Sequence, residues 1–102
     1  MRLLATLTLA ATLLAFPAFA ADHAVSIKGM KFDPATLTVA AGDTVTFTNE
    51  DGAPHTATAA DGAFDTGRLN QGDSATVTIA GAGSFDYICQ IHPMMKGNVT
   101  AN

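Results

Sequence analysis

The chain has 102 residues, enough for one domain and no more. Nine acidic residues against five basic ones give a net charge of −4, and so few cations argue against nucleic acid or an anionic membrane as partner. A single cysteine, Cys89, excludes a disulfide framework.

Residues 1–20 read as a targeting segment rather than as part of a fold. Arg2 gives a short positive region, and an apolar run follows from Leu3 to about Phe16. Pro17 breaks the run, and Ala18-Phe19-Ala20 offers the small-x-small pattern of a signal-peptidase site. The run is short for a membrane span, so removal is expected rather than retention as an anchor. No cysteine follows it to carry a lipid. The expected product is residues 21–102, a soluble, monomeric single domain exported to the periplasm. A domain of that size is marginal on its core alone, and a lone thiol in an oxidising compartment is a liability unless something occupies it. A bound metal would answer both needs.

After the leader the sequence reads as all-β. Val25 and Ile27 alternate with Ser26 and Lys28, and Leu37 and Val39 with Thr36 and Thr38. Thr44-Val45-Thr46-Phe47-Thr48 puts Val45 and Phe47 on one face, and Ala75-Thr76-Val77-Thr78-Ile79 repeats the pattern. Phe85, Tyr87 and Cys89 share a face of a further run. Turn formers separate these runs: Asp33-Pro34, Ala41-Gly42-Asp43, Asp51-Gly52, Asp61-Gly62, Gly72-Asp73 and Gly81-Ala82-Gly83. Short strands at this spacing predict two antiparallel sheets packed face to face. Residues 60–71 carry the weakest pattern, and the expectation there is an irregular loop with one helical turn at residues 67–69.

The most informative stretch is Tyr87-Ile88-Cys89-Gln90-Ile91-His92-Pro93-Met94-Met95-Lys96-Gly97. A thiolate, an imidazole and a thioether lie close together at a strand end and on the loop after it. Soft sulfur donors beside imidazole select copper, above all where Cu(I) and Cu(II) must both be held. Two imidazoles and a thiolate with a weak axial methionine make an electron-transfer centre. His55, after Asp51-Gly52-Ala53-Pro54, is the candidate for the second imidazole. Taken singly, each of these residues is ordinary: a core cysteine, a surface histidine, gap-filling methionines. All four in this order point to a metal.

These residues, with Phe32-Asp33-Pro34, Ala41-Gly42-Asp43-Thr44-Val45, Asn49, Pro54-His55, Phe64-Asp65-Thr66-Gly67 and Gly97-x-Val99, resemble the small blue copper proteins, the cupredoxins, within the amicyanin and plastocyanin group. The resemblance implies a Greek-key β-sandwich of about seven or eight strands holding one type 1 copper. It assigns His55, Cys89, His92 and Met95 as ligands and leaves Met94 as an apolar neighbour. The two residues between His92 and Met95 look like the short amicyanin loop. Asn49 resembles a residue that ties the His55 loop to the site. The chain departs from the pattern at Thr56, where plastocyanin and amicyanin place Asn; a shorter hydroxyl would reach the Cys89 loop differently.

The implied activity is the shuttling of single electrons with no substrate bond made or broken, so the protein is not expected to be an enzyme. Pro54, Ile91, Pro93 and Met94 around His92 form a candidate docking patch for a redox protein such as a c-type cytochrome or a periplasmic dehydrogenase. Glu50, Asp51, Asp61 and Asp65 could steer a cationic partner, though acidic turn residues are more often simply solvated. Cleavage after Ala20 would place His23 third from a free amine, where a square-planar Cu(II) site can form; a histidine on a tail is the commoner case. A copper carrier or copper-resistance protein is the alternative function. Carriers tend to expose Met- or His-rich segments, and this chain has one compact constellation. A multi-copper enzyme would need histidines beyond His23, His55 and His92.

Overall fold

The computed structural model describes residues 20–102. The targeting segment expected over residues 1–20 therefore lies, except for Ala20, outside the described residues. Eight strands follow in chain order: β1 (Asp22–Lys28), β2 (Lys31–Asp33), β3 (Thr36–Val39), β4 (Thr44–Asn49), β5 (Thr58–Ala59), β6 (Ser74–Thr78), β7 (Gly83–Ile88) and β8 (Lys96–Ala101). They form two four-stranded sheets, in the orders β2-β1-β4-β6 and β3-β8-β7-β5. The architecture is an all-β sandwich, with no helix among the described residues.

Period-two alternation explains the inner faces. Val25 and Ile27 of β1 are buried while Asp22, Ala24 and Lys28 are exposed, and β4 buries Val45, Phe47 and Asn49 in strict alternation with its threonines. The outward threonines of β4 pair across the sheet: Thr46 with Thr76 at 2.8 Å and Thr48 with Ser74 at 2.7 Å. From the second sheet come Val39, Ala59, Tyr87, Val99 and Ala101. Phe32, Phe47 and Phe64 surround Tyr87 with ring centroids 4.7, 5.4 and 5.7 Å away. Each such buried ring contributes roughly 1.5–3 kcal/mol of hydrophobic stabilisation. Gly97 is the position that lets Tyr87 lie flat against β8. A Cβ there would overlap the tyrosine Cζ and hydroxyl.

Two features depart from the sequence reading. The sheets are mixed, because β1 pairs with β4 and β3 with β8 in parallel. The cause is the route of the chain. After β2 it crosses to the other sheet for β3 and returns for β4, which then runs beside β1 in the same direction. The helical turn expected at residues 67–69 is also not formed. Leu69 instead pairs with His55 in an isolated bridge, its N–H donating to the His55 carbonyl at 2.7 Å and its carbonyl accepting the His55 N–H at 3.0 Å. An extended Leu69 satisfies both backbone groups of a buried residue, and Gly67, at a φ of 68°, makes the bend that brings it there.

Candidate metal centre

Three donor side chains meet at one end of the sandwich. Cys89 follows the last residue of β7, and the loop of residues 90–95 returns directly into β8. That loop closes on itself: the Cys89 N–H donates to the Met95 carbonyl at 3.1 Å, and the Met95 N–H to the His92 carbonyl at 2.9 Å. His55 comes from the loop after β4 and is fixed by its bridge to Leu69. Cys89 Sγ lies 3.7 Å from His55 Nδ1 and 3.9 Å from His92 Nδ1, and the two Nδ1 atoms are 3.2 Å apart. Met95 is buried on the same loop, whereas Met94 is 76% exposed. The loop thus turns one thioether inward and the other out.

The donor triangle has the dimensions of a metal site. A circle through the three atoms has a radius of about 2.1 Å, from the separations just given. First-row divalent ions bind imidazole nitrogen at about 2.0 Å and thiolate sulfur at about 2.3 Å. The separations of the three donors therefore fit an ion that His55, Cys89 and His92 could hold together. Two imidazoles and a thiolate, with a buried methionine on the same loop, are the donor types of copper electron-transfer centres.

The surroundings fix each donor. His55 is wholly buried and its Nε2 lies 2.9 Å from Asp51 Oδ2. An ionised carboxylate can only accept, so Nε2 carries the proton and the Nδ1 lone pair faces Cys89. Asp51 is itself held by the N–H groups of Met30 (3.0 Å) and Gly29 (2.8 Å). The Met30 amide holds its carboxyl below the usual carboxylate range, helped by Gly29 and His55 and opposed by burial. The Cys89 sulfur accepts the Thr56 N–H at 3.3 Å, which fixes where the sulfur lies. Thr56 does reach the cysteine loop: its Oγ1 accepts the Gln90 N–H at 2.9 Å. Asn49, fully buried, donates to the carbonyls of Ala53 (2.8 Å) and Leu69 (2.9 Å) and accepts the Asp51 N–H (2.9 Å). It binds the His55 loop to the strand that supports it.

His23 stands apart. Its Nε2 lies 2.9 Å from Asp43 Oδ2, and it sits in β1 in register with Val45. The Ala21 N–H donates to the other oxygen of Asp43 at 2.9 Å. An amino-terminal copper site would have to break both contacts and unzip the start of β1. Among the described residues, His55, Cys89 and His92 form the one group of His, Cys or acidic side chains gathered at metal-binding range.

The sequence reading treated Asp51 as a turn residue on an acidic surface. Its place behind His55 escaped that reading because two of its three partners, Gly29 and Met30, come from a turn far earlier in the chain. The available signal was a carboxylate four residues before a candidate ligand histidine.

Sandwich and donor set together define the class: a small β-sandwich protein of the blue copper kind. A family model described as "Cupredoxin-like domain" matches residues 2–101, and the chain belongs to that family. Amicyanin from Paracoccus denitrificans is 34% identical over 80 residues, covering 74% of this chain and 61% of the relative. The chain thus spans less than two thirds of that amicyanin's length. Plastocyanin A/B from Petroselinum crispum is 32% identical over 87 residues, covering 72% of this chain and 90% of the relative. Among solved structures, a reduced amicyanin variant superposes with a TM-score of 0.75 at 28% identity, over 84% of this chain and 87% of the other. A Cu-containing nitrite reductase from Thermus scotoductus SA-01 matches with a TM-score of 0.74 at 32% identity, but over only 22% of its own chain.

Proposed function

We propose that the protein is an exported shuttle that accepts and gives up one electron at a time across the exposed edge of His92, with its copper held by His55, Cys89, His92 and Met95. Copper held there supplies a Cu(II)/Cu(I) couple. The chain's own part is to keep the donors still, so that little rearrangement accompanies the change of charge, and to leave one ligand near the surface.

The observation that carries the reading is the contrast between the two histidines. His55 is wholly buried, whereas His92 is partly exposed among Ile91 (42% exposed), Pro93 and Met94 (76% exposed), with Pro54 half-buried nearby. Exposed apolar side chains around a single ligand suit a small, short-lived contact with a redox protein. A c-type cytochrome or a periplasmic dehydrogenase is the class of partner proposed. Glu50, Asp61 and Asp65 are exposed and could speed a cationic partner's approach. Asp51 is committed to His55 and the β1–β2 turn. Copper delivery is less well supported, because exchange asks for exposed donors and only His92 is partly exposed.

The test is stopped-flow electron transfer to a basic c-type cytochrome. The Met94→Lys variant should slow the second-order rate at least tenfold with an unchanged visible spectrum, and the parent's rate should fall as salt rises. A parent rate insensitive to both changes would rule out this patch as the meeting surface.

A further inference from the structure

The turn between β1 and β2 is strained at one residue. Gly29 has a φ of 62° and Met30 a φ of 58°, and Met30 is the one residue other than glycine with a positive φ among the described residues. A left-handed methionine costs of order 1 kcal/mol and persists only where its surroundings require it. Here two consecutive left-handed residues aim both their N–H groups at the two oxygens of Asp51, at 2.8 and 3.0 Å. The same carboxylate takes the Nε2–H of the buried His55. Asp51 is further pinned by its own N–H on Asn49.

We propose that this turn works as a clamp on the buried ligand. It holds the Asp51 carboxylate against His55 Nε2, and so fixes the tautomer and the ring plane of the Nδ1 donor. Asp51 is then a positioning residue, and the β1–β2 turn, more than twenty residues upstream, helps set the balance between the two oxidation states. A full negative charge hydrogen-bonded to a ligand imidazole favours the more highly charged metal ion. The consequence for copper rests on the function proposed above; the clamp itself does not.

The D51N variant is the direct test. Its amide can still accept from the turn, but it places an uncharged group, part donor and part acceptor, against His55. Loss of a partner of this kind typically lowers metal affinity 10–100-fold. If Cu(II) suffers tenfold more than Cu(I), the reduction potential rises by about 59 mV. D51E, which keeps the charge, should recover most of the parent's potential. M30G, which keeps both N–H groups and removes the strain, should leave the potential alone and raise stability. D43N, whose carboxylate serves β1 and the β3–β4 turn, should lose stability without moving the potential.

A second measurement needs no metal. Nitrogen-15 spectra of the apo-protein should show a single His55 tautomer with the proton on Nε2, giving way to a mixture in D51N. Blue D51N protein with the parent's potential would overturn the proposal, as would a mixed tautomer in the parent. Failure of the parent to bind copper in a coloured site would instead sink the function, leaving the tautomer measurement to decide the clamp.

Discussion

Replacing Gly97 by alanine tests the packing that carries the site. Added at this position, a Cβ overlaps Cζ and the hydroxyl of Tyr87. Tyr87 cannot yield, because it is 1% exposed and wedged among Phe32, Phe47 and Phe64. Overpacking of a close-packed core typically costs about 1–3 kcal/mol. A rigid ring as the obstacle places Gly97→Ala at about 2–3 kcal/mol. In a domain of this size each kcal/mol lowers Tm by about 4–8 °C, so a fall of at least about 8 °C is expected. Urea unfolding of the apo-protein, followed by circular dichroism, measures the loss. The strain should also reach the metal, since Gly97 lies two residues after Met95, and the visible band of the copper form should shift. In a Tyr87→Leu background the ring atoms are gone, and Gly97→Ala should become neutral or favourable by up to about 1 kcal/mol. Equal costs in the two backgrounds would refute the reasoning, for the alanine would then be acting without the tyrosine.

Asn49→Ala leaves the Ala53 carbonyl and the Asp51 N–H without their partner and takes one of two donors from the Leu69 carbonyl, so a loss of about 2 kcal/mol is expected in chemical denaturation, with weaker copper retention. Met95→Ala should move both the visible spectrum and the potential, because the axial donor tunes them, while Met94→Ala should move neither. Acid should destabilise the fold through Asp43, whose carboxyl is lowered chiefly by the His23 hydrogen bond and then by the Ala40 and Ala21 amides. Its folded-state pKa lies below the unfolded value of about 3.9. Its stabilisation is therefore complete above that value and fades as pH drops through the folded-state pKa. Urea midpoints taken from about pH 5 downward should fall less steeply in Asp43→Asn, which keeps only the share due to groups such as Asp51.

The candidate donors were legible in the sequence because three of them are local. Cys89, His92 and Met95 fall on one loop, and their chemistry needs only their spacing. The alternation in β4 likewise placed Val45 and Phe47 correctly, because burial follows the pleat. Less legible was whatever depended on distant segments meeting. The parallel pairing of β1 with β4 follows from the crossing of β3 to the other sheet. Leu69 is extended because His55 needs a backbone partner, a requirement invisible in residues 60–71 alone. Asp51 looked like any turn carboxylate, since the turn that grips it is far away in sequence. Thr56 shows the limit of reading by resemblance: the hydroxyl reaches the Gln90 amide because the backbones approach closely enough for a short side chain.

Copper titration of the reduced apo-protein tests the central claim most directly. One equivalent of Cu(II) should produce an intense blue thiolate-to-copper band that ascorbate bleaches and reoxidation restores, and Cys89→Ser should abolish it. A colourless or weakly coloured complex, or a blue band that survives Cys89→Ser, would contradict the account.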